Sequence, residues 1–189
     1  ILDEAMQELK ETAFKDLFKD EEKEDLEYVR DVMIETDAEM HIPDDYVTSI
    51  QERLNLYNLL DKLESEEEIE EYISQLTDRF GKVPRAVYNL FEALRMRWYC
   101  KLLGFDRVNW KGKKLRCYFI NNPQSSFYET DHFNHLTMYV NGLGNRKLRF
   151  KQSARHFFLV LDDCTSLKQA VKTLKGISEG VKTKKKVAQ

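Results

Sequence analysis

Apolar residues recur at helical spacing through the middle of this chain and at roughly alternating spacing toward its end, with Gly104 at the change. Residues 1–18 suit a helix carrying Leu2, Met6, Leu9, Phe14 and Leu17 on a loose apolar side. The charge run KDEEKEDLEY at 19–28 reads as a linker. Val29, Val32 and Ile34 among polar neighbours suggest a short strand over 29–36, after which Asp37 to Glu39 turn the chain toward His41. Pro43 keeps Ile42 out of the helical region. Three helices follow. Ser49 with Glu52 has capping-box spacing, and Ile50, Leu54, Tyr57 and Leu59 or Leu60 form the first stripe. Ser65 with Glu68 repeats the device, with Glu66 and Glu67 at the favourable positive end and Ile69, Ile73, Leu76 and Phe80 as the second stripe. Gly81 ends that helix, Pro84 opens the third, and Val87, Leu90, Phe91, Leu94, Trp98 and Leu102 keep the period until Gly104.

Past Gly104 the pattern becomes that of strands. FDRVNW at 105–110 and KLRCYFI at 114–120 read as a hairpin turning at Gly112, although the alternation is imperfect. Pro123 opens a helix or irregular connection running through Phe133, Leu136 and Tyr139 to Gly142 or Gly144. RKLRFKQ at 146–152 and RHFFLVL at 155–161 form a second hairpin, and Asp163 or Thr165 starts a last helix with Leu167, Val171 and Leu174. GVKTKKKVAQ at 180–189 reads as a solvated basic tail. These elements make an α+β fold, with helices packed on a small, mainly antiparallel sheet and an N-terminal linking helix. The expected organisation is a connecting helix and charged linker at 1–28, an α+β domain at 29–178 and a flexible tail at 179–189. The opening residues read as the middle of a helix, which suggests a piece of a longer protein.

Charge divides the chain in the same place. Residues 1–100 hold 12 Lys and Arg against 27 Asp and Glu, a formal −15, whereas residues 101–189 hold 18 against 6, a formal +12. Such asymmetry suits association with a basic protein surface or with nucleic acid, and equally an attraction between the two halves. Cys100, Cys117 and Cys164 lack CxxC spacing and suggest ordinary thiols in a reducing compartment. No apolar run in the sequence approaches the roughly 18 residues of a membrane span.

Catalytic chemistry is hard to place. The chain contains no GxxxxGK[ST] phosphate loop and no GxGxxG turn, and NGLGN at 141–145 has the wrong spacing for either. His132 and His135 in DHFNH are the one close histidine pair, but without the HExxH arrangement they read as surface or packing residues. The carboxylates of 61–71 read as a solvated face. Lys111, Lys113, Lys114, Arg116, Arg146, Lys147, Arg149, Lys151 and Arg155 bracket the two hairpins and interleave with Trp110, Tyr118 and Phe150. Either they contact phosphates while the rings stack on bases, or the cations line an outer sheet face while the aromatics fill its core face; the missing RNP and KH signatures favour the second.

The wording of the junctions adds a resemblance. IPDDYV at 42–47, the arginine and tyrosine of RLNLY at 53–57, EEEIEEYISQL at 66–76 and DRFGKVP at 78–84 together resemble the C-terminal domain of bacterial transcription-repair coupling factors (Mfd). LDEAMQELK at 2–10 resembles the helix leading into that domain from a motor region. The resemblance implies a cytoplasmic, non-catalytic, autoinhibitory domain of an ATP-dependent DNA translocase that links removal of stalled RNA polymerase to nucleotide excision repair. It implies no cofactor in this chain, and ATP and magnesium in the parent's motor upstream. It further implies that the domain docks on the N-terminal module that binds UvrA and masks that surface, the parent contacting RNA polymerase, UvrA and DNA. By the same resemblance Asp78 matches an acidic position of the masking contact, Gln75 stands where relatives carry glutamate, and Glu71 one turn back is able to compensate. Arg79 either pairs within the helix with Glu71 or Gln75 or joins the interface. Ile42, Pro43, Tyr46, Arg53, Tyr57, Phe80, Gly81 and Pro84 are then the structural part of the motif.

Overall fold

The computed structural model describes residues 28–187, with side chains through residue 182. The helix expected over 1–18 and the charge run that follows it lie outside the described residues. Side-chain caps set the first helices. The Ser49 hydroxyl accepts from the Glu52 amide at the start of α1 (Ile50–Leu60), and Ser65 accepts from Glu68 at the start of α2 (Glu66–Phe80). Gly81 stops α2 at φ 85°, ψ −160°, a conformation almost confined to glycine. Pro84 then caps α3 (Arg85–Leu103), which ends at Gly104. A Cβ on Gly104 would meet the Phe127 ring at 2.2 Å, and its φ is 95°, so glycine here serves both a left-handed turn and a close approach.

The strands are β1 (Met33–Thr36), β2 (Phe105–Lys111), β3 (Lys114–Phe119), β4 (Leu148–Gln152) and β5 (Phe157–Leu161). They lie in the order β1-β2-β3-β5-β4, with β1 parallel to β2 and the other pairs antiparallel. Gly112 and Lys113, both at φ 58°, form the two-residue turn between β2 and β3, the backbone geometry whose twist matches a tight hairpin. A 3-10 turn at Ser126–Glu129 leads into α4 (Asp131–Gly142), capped by Thr130, and α5 (Leu167–Val187) closes the fold. The α+β class is as expected.

Two apolar clusters result. Ile42, Val47, Leu56, Ile69, Leu76 and Phe91 belong to a helical lobe built from α1, α2 and the first half of α3. Met96, Cys100 and Leu103 from the second half of α3 instead join the sheet, α4 and α5 around Phe105, Cys117, Phe119 and Leu174. One continuous helix therefore ties the two regions together.

The structure departs from the sequence pattern at several places, beginning with β1, which takes only Met33–Thr36 of the strand expected over 29–36. Leu56 and Leu60 are the buried residues of α1, while Ile50 and Leu54 are 68% and 53% exposed, because α1 is turned to aim Arg53 and Tyr57 at the preceding loop. Leu102 is exposed because α3 turns a different face to the sheet than to the helical lobe. The last helix starts at Leu167, with the Ser166 hydroxyl accepting from the Gln169 amide; Asp163 instead occupies a left-handed turn at φ 54°. That helix also runs to Val187, so the boundary expected at 178/179 falls inside it. Ile177 and Val181 extend its buried stripe, and Gly180 lets it approach the Tyr139 ring, where a Cβ would sit 2.1 Å away.

Candidate interaction surface

The junction residues are joined by hydrogen bonds from long side chains to backbone. The Tyr57 hydroxyl accepts from the Ile42 amide at 2.7 Å, and Ile42 itself is buried. The Pro43 carbonyl accepts from the amides of Tyr46 and Val47, forming the turn that follows. From this turn Tyr46 donates its hydroxyl to the Gly81 carbonyl at 2.9 Å and sets its ring edge-on against Phe80. Arg53 donates to the Val47 carbonyl at 2.6 Å. The Pro84 carbonyl accepts from Val87 and Tyr88 in the first turn of α3. Tyr72, Asn89 and Arg95 belong to the same framework, and sequence reasoning missed them. Buried Tyr72 donates to the Leu56 carbonyl at 2.9 Å, and burial pushes its hydroxyl pKa up. Asn89 donates to the Glu39 carbonyl. Arg95 grips both oxygens of Glu66 and also donates to Glu92. The Glu66 bond is the largest cause holding Arg95 above its usual pKa, whereas burial raises Glu92.

This framework holds α2 by one side and leaves the other free. At 3.6 residues per turn, Glu67, Glu71, Gln75 and Asp78 fall within an arc of about 80°. All four are exposed, and among the described residues none of the three carboxylates has an ion-pair or hydrogen-bond partner. Glu70 is exposed beside them. Arg79 takes neither of its expected partners in α2. It reaches across to form an ion pair with Glu52 of α1, and its guanidinium lies 4.8 Å from the Phe80 ring centre. The result is an outward acidic strip on a helix locked by Arg79–Glu52 at one end and Arg95–Glu66 at the other.

The basic hairpins divide their aromatics between the faces of the sheet. Trp110 and Phe150 pack on the core side, the Trp110 indole donating to the Cys164 carbonyl at 2.9 Å. Tyr118 faces outward, contrary to the expectation that all three fill the core. Along β3 Tyr118 alternates with buried Cys117 and Phe119, which places it outward, while an irregularity in β2 between Phe105 and Arg107 explains the imperfect alternation of that strand. His132 is held near the Leu103 carbonyl, 3.4 Å from its Nε2, and burial lowers its pKa. No three His, Cys, Asp or Glu side chains gather as a metal-ligand set among the described residues. The three cysteines are buried free thiols. No helix is long and apolar enough to cross a membrane among the described residues.

A family model described as the TRCF domain matches residues 36–130, half of the chain. The chain belongs to the TRCF domain family. The match takes in α1, α2 and α3 with the β2–β3 hairpin, and so the acidic strip as well. The transcription-repair-coupling factor of Mycobacterium bovis is 33% identical over 79 residues, 42% of this chain and 6% of that protein. That of Staphylococcus epidermidis is 27% identical over 94 residues, covering 50% of this chain and 8% of the relative. The Escherichia coli protein is 31% identical over 67 residues, covering 35% of this chain and 6% of its own length. The chain thus spans a small fraction of each relative. A crystal structure of the C-terminal domain of transcription-repair coupling factor matches with a TM-score of 0.60 at 22% identity, covering 84% of this chain and 97% of that one. This likeness establishes the same fold for the present TRCF domain.

Proposed function

We propose that this TRCF domain is an autoinhibitory docking domain, without catalytic activity of its own, within an ATP-driven DNA translocase that couples transcription to repair. In this reading the exposed face of α2 docks on the parent's N-terminal module and masks its UvrA-binding surface until RNA polymerase is engaged. The observation that carries the proposal is the acidic strip, three unpaired carboxylates on a helix whose rotation is fixed by ion pairs at both ends. A basic surface meeting that strip gains orientation and encounter rate from complementary charge. The surrounding framework of tyrosine and arginine bonds to backbone holds the strip in one geometry, which lowers the ordering cost of docking.

The test uses the full-length parent with Asp78→Ala or Gln75→Glu. Asp78→Ala should loosen docking and raise UvrA affinity, while Gln75→Glu should tighten docking and lower it. A charged group truncated at a desolvated contact costs about 2–5 kcal/mol, and a rim contact far less. With Gln75 leaving one charge absent, the effect of Asp78 is expected near 2 kcal/mol. Circular dichroism of each isolated domain controls for folding, since both positions are exposed. Equal UvrA affinity in wild type and both variants would remove this face from the regulatory reading.

A further inference from the structure

The helices α3, α4 and α5 cover one face of the sheet, and the opposite face carries a row of side chains that belongs to neither apolar cluster. Arg107, Tyr118, Phe158 and Lys151 stand side by side on β2, β3, β5 and β4. The Tyr118 and Phe158 rings stack with centres 4.9 Å apart, and the Arg107 guanidinium lies 4.2 Å from the Tyr118 ring centre. The next row is Asn109, Arg116, Val160 and Arg149. Val160 is 1% exposed although it lies outside both clusters. Carboxylates on this face are already engaged. Asp162 holds Arg149 and Lys114, and Glu35 accepts from Asn109. Arg116 and Lys151 have no carboxylate partner among the described residues.

At the end of the sheet, a cavity of about 350 Å³ lies between the exit of β3 and the β4–β5 hairpin, with rings from the helix-covered side in its wall. Phe119, Phe133 and Phe157 line it, with Phe119 stacked on Phe157 at 5.5 Å. Asn121, Asn122, Gln152 and Arg155 also line it. His156 belongs to both features, lining the cavity while its ring meets Tyr118 edge-on at 5.5 Å. The cavity falls within the range of small-ligand pockets, about 300–1,000 Å³.

We propose that this face binds single-stranded nucleic acid. The outer ring face of Phe158, backed by Tyr118 and Arg107, stacks one base, the cavity past His156 at the end of the sheet takes a second, and Arg107, Arg116, Lys151 and Arg155 meet the phosphates. Stacking platforms framed by cations are the general solution for a strand whose bases are unpaired. A duplex keeps its base faces hidden, so it engages the cations alone. An acidic peptide likewise uses the cations and leaves the ring pair and the aromatic-walled cavity unexplained. The proposal is independent of the α2 docking reading, because the two surfaces lie on different elements.

The test is fluorescence anisotropy of the full chain with labelled mixed-sequence single-stranded RNA, single-stranded DNA, a duplex and polyglutamate. Single strands should bind more tightly than the duplex or polyglutamate. Tyr118→Leu should weaken single-strand binding roughly tenfold, as loss of one stacked base does. Arg116→Gln should lower the salt slope by about one unit. Should Tyr118→Leu fail to fold by circular dichroism, exposed Lys151→Glu carries the test and should weaken binding several-fold. Asp78→Ala should leave this binding unchanged. Absence of single-strand binding would overturn the proposal, as would wild-type affinity in folded Tyr118→Leu (or in Lys151→Glu where Tyr118→Leu does not fold). Polyglutamate binding as tight as single strands would instead identify an acidic protein-docking face.

Discussion

The helical lobe and the sheet layer share α3 and differ in how each is held together. In the lobe, polar tips fix the chain. Tyr57, Tyr46, Tyr72, Arg53 and Asn89 each bond to backbone far away or at a turn. In the sheet layer, ring packing dominates. Phe119 alone lies within aromatic contact of Phe105, Phe127, Phe133, Phe150 and Phe157. Their outer surfaces differ too, with an acidic strip on α2 and basic rows on the open sheet. The contrast teaches that the lobe is built to hold helix faces at fixed angles, whereas the sheet layer provides the larger apolar core on which that lobe is mounted.

The strongest way to break this contrast is to empty the lobe's core. Phe91 is fully buried and meets Tyr72 and Tyr88 edge-on at 5.7 and 5.9 Å. Phe91→Ala should cost about 3–5 kcal/mol. Because α3 runs through both clusters, urea unfolding followed by circular dichroism should keep a single transition at a lower midpoint. A separate early transition would show that the lobe unfolds independently of the sheet.

The next effect belongs to the seam between the regions. Gly104→Ala should destabilise by about 2–3 kcal/mol, because the added methyl both requires a left-handed residue and drives into Phe127. Thermal melts of the variant check it. A cost below that of an ordinary surface substitution would mean that Phe127 yields freely.

A smaller difference separates the polar bonds of the two regions. Tyr57→Phe strips the Ile42 amide of its acceptor and should cost about 1–2 kcal/mol. Tyr128→Phe in the sheet layer removes a donor to the Ile120 carbonyl, outside the end of β3 and only partly buried, and should cost less. Urea midpoints of the pair rank them directly, and the reverse order would contradict the role given to the tyrosine bonds of the lobe.

The smallest effect is a pH dependence on the basic side. The Arg149 bond, helped by Lys114, holds the Asp162 carboxyl below its ordinary value. Its folded-state pKa is depressed, so its contribution is present above about pH 4 and is lost as the pH falls through the folded value. Asp162→Asn should remove that part of the acid-side loss. An unchanged stability–pH curve between wild type and variant would leave the pair without a measurable role.

Much of the lobe was legible because its signals are local. Ser49, Ser65, Gly81, Pro84 and Gly104 each punctuate the helices through their own backbone chemistry. The rotation of α1 was not, because Ile50 with Leu54 and Leu56 with Leu60 both satisfy a four-residue spacing. Tertiary bonds from Arg53 and Tyr57 chose between them. Arg79 likewise found its partner on another helix, beyond the reach of spacing arguments. In α5, the lysine-rich composition and Gly180 concealed a stripe that Val181 continues. The acidic face of α2 was marked by the resemblance at Asp78 together with helical period, whereas grouping Tyr118 with Trp110 and Phe150 overlooked the strict alternation of β3, which sets it opposite Cys117 and Phe119.

The central proposal is that the α2 strip, and not the basic sheet, is the surface by which this TRCF domain docks on the N-terminal module. Isothermal titration of the full chain against the parent's separately produced N-terminal module tests it most directly. Charge reversal of Glu71 and Asp78 to lysine should weaken binding by about tenfold or more, while Arg116→Glu on the sheet should leave it unchanged. Wild-type affinity in the α2 double variant, or a loss confined to Arg116→Glu, would contradict the account.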